Sequence, residues 1–199
     1  MTVVKVCGIT NAEDARAAVE AGAGALGFNF YRKSPRYVTA PAAAAITVGV
    51  PAGVLKVGVF VNESPARVAE IVREAGLDIA QLHGDEGAGD VPAGVRVWKA
   101  FRVTAEFALE KLEQFPAEAY LLDTPTEMYG GSGHTFDWTR ARGAAGRILL
   151  AGGLDESNVR EAIAAAQPWG VDACSRLESA PGKKDHGRMA RFIAAAHSV

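Results

Sequence analysis

Apolar residues recur along the chain in eight short runs, each halted by a polar residue or a glycine. They read "VVKVCG" (3–8), "ALGFNF" (25–30), "LKVGVF" (55–60), "DIAQLHG" (78–84), "VRVWKA" (95–100), "AYLLD" (119–123), "RILLAGG" (147–153) and "GVDACS" (170–175). Runs of this length, bounded by turn formers, predict strands. Most segments between them carry helix punctuation. "NAEDARAAVEAG" opens on Asn11 as a cap and closes on Gly22. "SPARVAEIVREAG" has Ser64 as cap, Pro65 in the first turn and Gly76 as stop. "DESNVREAIAAA" and "KDHGRMARFIAAAH" follow the same style. The segment after the fourth strand, "DEGAGDVPAG", is too glycine-rich for a full helix, and the sixth strand is followed by one or two turns at most, near "TFDW".

Strands that alternate with helices pair in parallel through right-handed crossovers. Eight such units predict an α/β fold, a single (β/α)₈ barrel domain over residues 1–199, small for its kind. The rival is an open doubly wound sheet, which would be expected to carry a G-x-G-x-x-G loop after an early strand; "CGITN" is not one. The "GGSG" at 130–133 reads as a loop, and no linker or low-complexity segment suggests a second domain.

Composition narrows the class. The chain is 49% hydrophobic and 22% charged, ordinary for a globular protein able to bury a core. No apolar run is long enough for a membrane span, and "MTVVKVCGIT" lacks the features of a signal peptide, so a cytoplasmic protein is expected. In that reducing compartment Cys7 and Cys174 are expected as free thiols. A net charge of −2 recommends neither nucleic acid nor an acidic membrane as partner.

In such barrels the chemistry sits on loops at the C-terminal ends of the strands. Those ends hold Cys7, His83 and Asp123, the basic loop "NFYRKSPR", and the turns "AGGLDES" and "CSRLES". Taken singly each has a plain structural reading: a cysteine packed in the core, a hydrogen-bonded histidine, an aspartate capping a turn. Alternation along a strand adds more. If Cys7 points into the barrel so does Lys5, and Asp123 groups with Leu121 while Tyr120 and Leu122 face the helices. A buried lysine needs a partner, and Asp172, on the strand beside the first, is the candidate. Lys5 then either neutralises Asp172 alone or also lowers the Cys7 thiol. Gly152 and Gly153 permit close backbone approach, and Ser175 would open a one-turn helix. Together they occupy the two positions where such barrels often bind phosphate.

The blocks "KVCGIT", "GFNFYRKSPRYV", "VGVFVNE", "QLHGDE", "LLDT", "GGSGHTFDW", "LAGGL", "NV" and "GVDACSRLESAPGKKD" follow in order through nearly the whole chain. This ordered set closely resembles the phosphoribosylanthranilate isomerase family of tryptophan biosynthesis. The resemblance implies a barrel and an Amadori rearrangement of N-(5-phosphoribosyl)anthranilate to 1-(2-carboxyphenylamino)-1-deoxyribulose 5-phosphate. It implies Cys7 as general base, Asp123 as general acid and Arg36 as the group that binds the anthranilate carboxylate. Gly152, Gly153 and Ser175 become the phosphate cradle, with Arg176 beside them and His83 also at the substrate. The family usually reads Ser-Gly-Val-Glu where this chain has Ser175-Arg176-Leu177-Glu178, so Arg176 is expected at negative φ with its guanidinium toward solvent. Asn29 stands where an apolar residue is more usual.

The implied chemistry suits these residue types. Asp123, held partly protonated by apolar surroundings, would protonate the furanose oxygen and open the ring to an iminium. Cys7, as thiolate, would take the proton from C2. The substrate nitrogen serves as electron sink, so neither metal nor organic cofactor is expected. The expected partner is a small phosphosugar, in a monomer or homodimer, with no nucleic acid and no membrane. A metal-dependent phosphosugar isomerase or epimerase on the same barrel would want several ligands at strand ends, where only His83 of the four histidines lies. A barrel that merely binds anions would have no need for both Cys7 and Asp123.

Overall fold

Eight strands close into a parallel barrel in the computed structural model, which describes residues 2–125 and 136–199. They are β1 (Val3–Val6), β2 (Ala25–Asn29), β3 (Leu55–Phe60), β4 (Ile79–Leu82), β5 (Val97–Arg102), β6 (Ala119–Asp123), β7 (Ile148–Leu150) and β8 (Gly170–Ala173). Neighbours in sequence are neighbours in space, and β8 returns to β1 with Lys5 opposite Asp172. The outer layer comprises α1 (Ala12–Glu20), α2 (Ala40–Thr47), α3 (Pro65–Glu74), α4 (Glu110–Glu113), α5 (Val159–Ala166) and α6 (His186–His197).

Period-two alternation divides the strand residues between two cores. Ala25, Val57, Ile79, Trp98, Leu121 and Leu149 fill the barrel. Val4, Val6, Leu26, Leu122 and Val171 face outward into the layer shared with Phe192 and Ile193 of α6. The helices begin where side chains can accept their first free N–H groups. Asn11 accepts from Asp14, Ser64 from Arg67 and Asp185 from Arg188. The basic loop after β2 is held by Asn29, whose carboxamide oxygen accepts from the Tyr31 N–H at 2.8 Å and whose carbonyl accepts from Val38.

Three local expectations shift. The fifth strand lies two residues later than 95–100, because Val95 donates back to Pro92 and belongs to the turn before it. Helix α5 begins at Val159 instead of Asp155. Asp155 Oδ1 accepts from the Ser157 N–H, and Asn158 Oδ1 accepts from the Asp155 N–H, which makes a turn of the first four residues. The segment after β8, expected to open a one-turn helix, is a 3₁₀ turn (Ser175–Leu177) followed by a hairpin of β9 (Glu178–Ala180) and β10 (Lys183–Lys184). The glycine-rich segment after β4 makes only the 3₁₀ turn Ala88–Asp90, and the turn after β6 is Trp138–Ala141. The loop expected at 130–133 and Thr135 of "TFDW" lie outside the described residues.

Candidate active site

The strand tips surround one cavity, lined by Cys7, Arg36, His83, Asp123, Gly152 and Ser175 among others. Gly153 and Arg176 line it too, so every site residue read from the sequence borders one space.

One wall belongs to Cys7. It follows β1 directly, and its N–H donates to Ala173 of β8. Lys5, one inward position below, is fully buried with its Nζ 2.7 Å from Asp172 Oδ1. Glu178 accepts from Arg36 through Nε and Nη2, both at 2.7 Å, and from Lys184 Nζ at 3.0 Å. Among the described residues, three cations (Lys5, Lys184 and Arg36) thus meet two carboxylates (Asp172 and Glu178), and a thiolate on Cys7 supplies the third negative charge. The thiol is held well below its ordinary range. The largest influence is a hydrogen bond from Cys174; burial opposes it, and Lys5 and Lys184 reinforce it. Cys174 moves the other way, well above the thiol range, as the partner that keeps its proton. Burial pushes Asp172 up to about 6 against the pull of Lys5. Both roles left open for Lys5 are therefore filled: it neutralises Asp172 and it favours the Cys7 thiolate.

The opposite wall carries Asp123, the last residue of β6, with only 7% of its surface exposed. Its Oδ2 lies 3.2 Å from His83 Nε2, and His83 Nδ1 lies 2.8 Å from Gln81 Nε2. The loop that carries His83 is pinned from below. Glu86 accepts from the N–H groups of Asn62 and Gly84, and Lys99 Nζ reaches both Glu86 (2.7 Å) and the Gly84 carbonyl (2.8 Å).

The third side is backbone. Gly152 and Gly153 have φ of +86° and +68°, a region costly for residues with a side chain. Ser175 opens the 3₁₀ turn, where the first N–H groups have no acceptor within the turn. Arg176 is not among the positive-φ residues, in line with its expected backbone. Its guanidinium does not simply face solvent: Nη1 lies 3.3 Å from Asp155 Oδ2, which ties the loop after β8 to the loop after β7.

Arg36 differs from the open carboxylate receptor expected of it, since Glu178 already holds its Nε–Nη2 side. Glu178, Lys184 and Cys174 were not identified as site residues. Glu178 and Lys184 sit on the unforeseen hairpin, and only the blocks "RLES" and "GKKD" marked the segment. Gln81 was also missed, although alternation alone places it on the inner face with His83.

Comparison with known proteins follows the same line. The family model PRAI, N-(5'phosphoribosyl)anthranilate (PRA) isomerase, matches residues 4–195. A protein of Solibacter usitatus named N-(5'-phosphoribosyl)anthranilate isomerase is 61% identical over 198 residues, covering 99% of this chain and 98% of its own. The crystal structure of phosphoribosyl anthranilate isomerase from Thermotoga maritima is 42% identical, with a TM-score of 0.90 over the full length of both chains. Another crystal structure of such an isomerase, in complex with reduced 1-(o-carboxyphenylamino)-1-deoxyribulose 5-phosphate, is 40% identical with a TM-score of 0.87, again over both full lengths.

Proposed function

This chain belongs to the N-(5'-phosphoribosyl)anthranilate isomerase family, and we propose that it performs the family's Amadori rearrangement with Cys7 as base and Asp123 as acid. The observation that carries the assignment is the pairing across one cavity of a thiol held low by its surroundings, at the tip of β1, with a largely buried carboxyl at the tip of β6 on the opposite wall.

Asp123 delivers a proton to the furanose oxygen of N-(5'-phosphoribosyl)anthranilate, the C1–O bond breaks, and the anthranilate nitrogen takes up the positive charge as an iminium. The Cys7 thiolate removes the C2 proton, and the electron pair of that C–H bond flows toward nitrogen to give an enolamine. Tautomerisation yields the open-chain ketone. Proton transfers of this kind contribute typically about 10²–10⁴-fold each. The phosphate is held by the N–H groups of Gly152, Gly153 and the Ser175 turn. Arg36 offers the substrate carboxylate its remaining Nη edge while Glu178 keeps the other side of the fork. The residues supply both proton steps and the anion contacts without a metal or organic cofactor. The barrel acts as one domain, supported by the match over residues 4–195, and the free state of both cysteines fits the cytoplasm.

The test is conversion of N-(5'-phosphoribosyl)anthranilate by the purified protein, alongside Cys7→Ser and Asp123→Asn. Turnover by the parent and losses of at least ~100-fold in kcat for each variant are expected. An inactive parent would reject the function, and an active Asp123→Asn variant would reject the acid.

A further inference from the structure

Gln81 is 1% exposed on the inner face of β4, and its Oε1 is buried without a hydrogen-bond partner among the described residues. Such an orphan costs stability, so its place there calls for a reason. The other end of the same carboxamide has a partner. Nε2 lies 2.8 Å from His83 Nδ1, and His83 Nε2 lies 3.2 Å from Asp123 Oδ2. Amide, imidazole and carboxyl therefore form one chain that ends at the proposed acid.

Proton positions along this chain follow from donor and acceptor counts. A neutral imidazole that accepts an amide N–H at Nδ1 carries its own proton on Nε2 and donates it to Asp123. That arrangement suits an ionised carboxylate and places one proton on the His83–Asp123 pair. An acid must also be reloaded. When the pair gains a second proton, Asp123 O–H donates to Nε2, the ring proton sits on Nδ1, and Nδ1–H needs an acceptor. Gln81 has one in Oε1, half a turn away about a terminal torsion that is broad and two-fold. Nothing else among the described residues anchors the carboxamide, so each orientation leaves one polar atom unpaired. The ring alone then selects between them.

We propose that Gln81 is a positioning residue for the acid: its carboxamide turns over with the proton on the His83–Asp123 pair, donating to Nδ1 when Asp123 is ionised and accepting from it when Asp123 is loaded. The inference rests on Asp123 as the acid. It explains why a residue with both a donor and an acceptor stands at this buried place. A carboxylate there would only accept, and an apolar side chain would do neither.

The test compares the full-length protein with Gln81→Glu and Gln81→Met. ¹⁵N NMR of the histidine rings, with His83 assigned through its own substitution, reads the tautomer directly. At neutral pH without substrate, His83 is expected with Nε2 protonated and Nδ1 bare in the parent protein, with Nδ1 protonated in Gln81→Glu, and as a tautomer mixture in Gln81→Met. Both variants should lose at least ~10-fold in kcat, the scale of supporting contacts to an active group, with KM within about threefold. Should Gln81→Glu not fold, Gln81→Met carries the test alone. Identical His83 tautomers in the parent and a folded variant, or an unchanged kcat in Gln81→Met, would overturn the proposal. If the parent itself fails to turn over substrate, the functional reading falls, and the tautomers alone decide whether Gln81 governs the ring.

Discussion

Substituting Gly152 by alanine probes the backbone and the acid at once. Its φ is +86°, and a Cβ there would lie 2.7 Å from Asp123 Oδ1 and closer still to Thr124 Oγ1. Two penalties follow. The left-handed backbone costs an L-residue roughly 1–2 kcal/mol. Ordinary contact of about 3.5 Å requires the Asp123 carboxyl to move by ~1 Å, a displacement that can cost about 100-fold in rate, or roughly 2.7 kcal/mol of barrier. Gly94 separates the two. Its φ is +73°, a Cβ there would meet nothing within 4 Å, and it lies in the turn that enters β5, at the far end of the barrel. Gly94→Ala therefore pays the backbone term alone. In a chain of this size each kcal/mol lowers Tm by ~2–4 °C. Thermal melts should show losses of about 2–8 °C for Gly94→Ala and at least as much for Gly152→Ala. Steady-state kinetics should show kcat/KM intact in the first and down about 100-fold in the second. A Gly152→Ala enzyme with kcat/KM within about threefold of the parent would refute the idea that this approach positions the acid.

Three further outcomes are expected. Arg36→Met should raise KM by at least ~10-fold with a smaller change in kcat, because a carboxylate contact exists in ground and transition states alike; an equal loss confined to kcat would contradict it. Cys174→Ala removes the hydrogen bond that chiefly holds the Cys7 thiol down, so the thiol rises and less thiolate exists at a given pH. The acid limb of kcat/KM should move to higher pH although Lys5, Lys184, Arg36, Asp172 and Glu178 still face the site, and an unmoved limb would remove Cys174 from the account. Although burial pushes the Glu178 carboxyl up, its bonds to Arg36 and the charge of Lys184 hold it below its ordinary value. Its stabilisation is therefore present at neutral pH and lost as pH falls through the folded value. Glu178→Gln should cost about 3 kcal/mol at pH 7, read by denaturant unfolding, and should flatten the decline toward acid; equal acid slopes in both proteins would sink the point.

The barrel was legible because its evidence is local: each strand is a short apolar run with a stop, and each helix start carries its own cap. Cys7 and Asp123 were legible as tips of such runs, and parity placed Lys5 and Leu121 inside. Lys5 and Asp172 are 167 residues apart, yet their pairing could be reasoned because closure makes the first and last strands neighbours. Arg36 and Glu178 are 142 residues apart, and nothing comparable connects them. Glu178 lies in β9, a three-residue strand whose partner β10 has two, too short for a periodic signal. Its contact with the loop after β2 exists only once the hairpin has folded over the mouth.

The hairpin also accounts for the charge around the base. Without Glu178 and Lys184, Cys7 would face Lys5, Asp172 and Arg36, with only one carboxylate to meet the two cations. The hairpin contributes one charge of each sign and leaves that excess unchanged. Glu178 meanwhile takes the Nε–Nη2 side of Arg36, and Lys184 reaches the Cys174 carbonyl at 3.2 Å. Its effect is therefore on position more than on net charge: it turns the arginine toward the cavity and holds Cys174 in place. A single positive charge left over beside a buried sulfur favours its ionised form. That excess is a property of three segments brought together, which is why no one of them announces it.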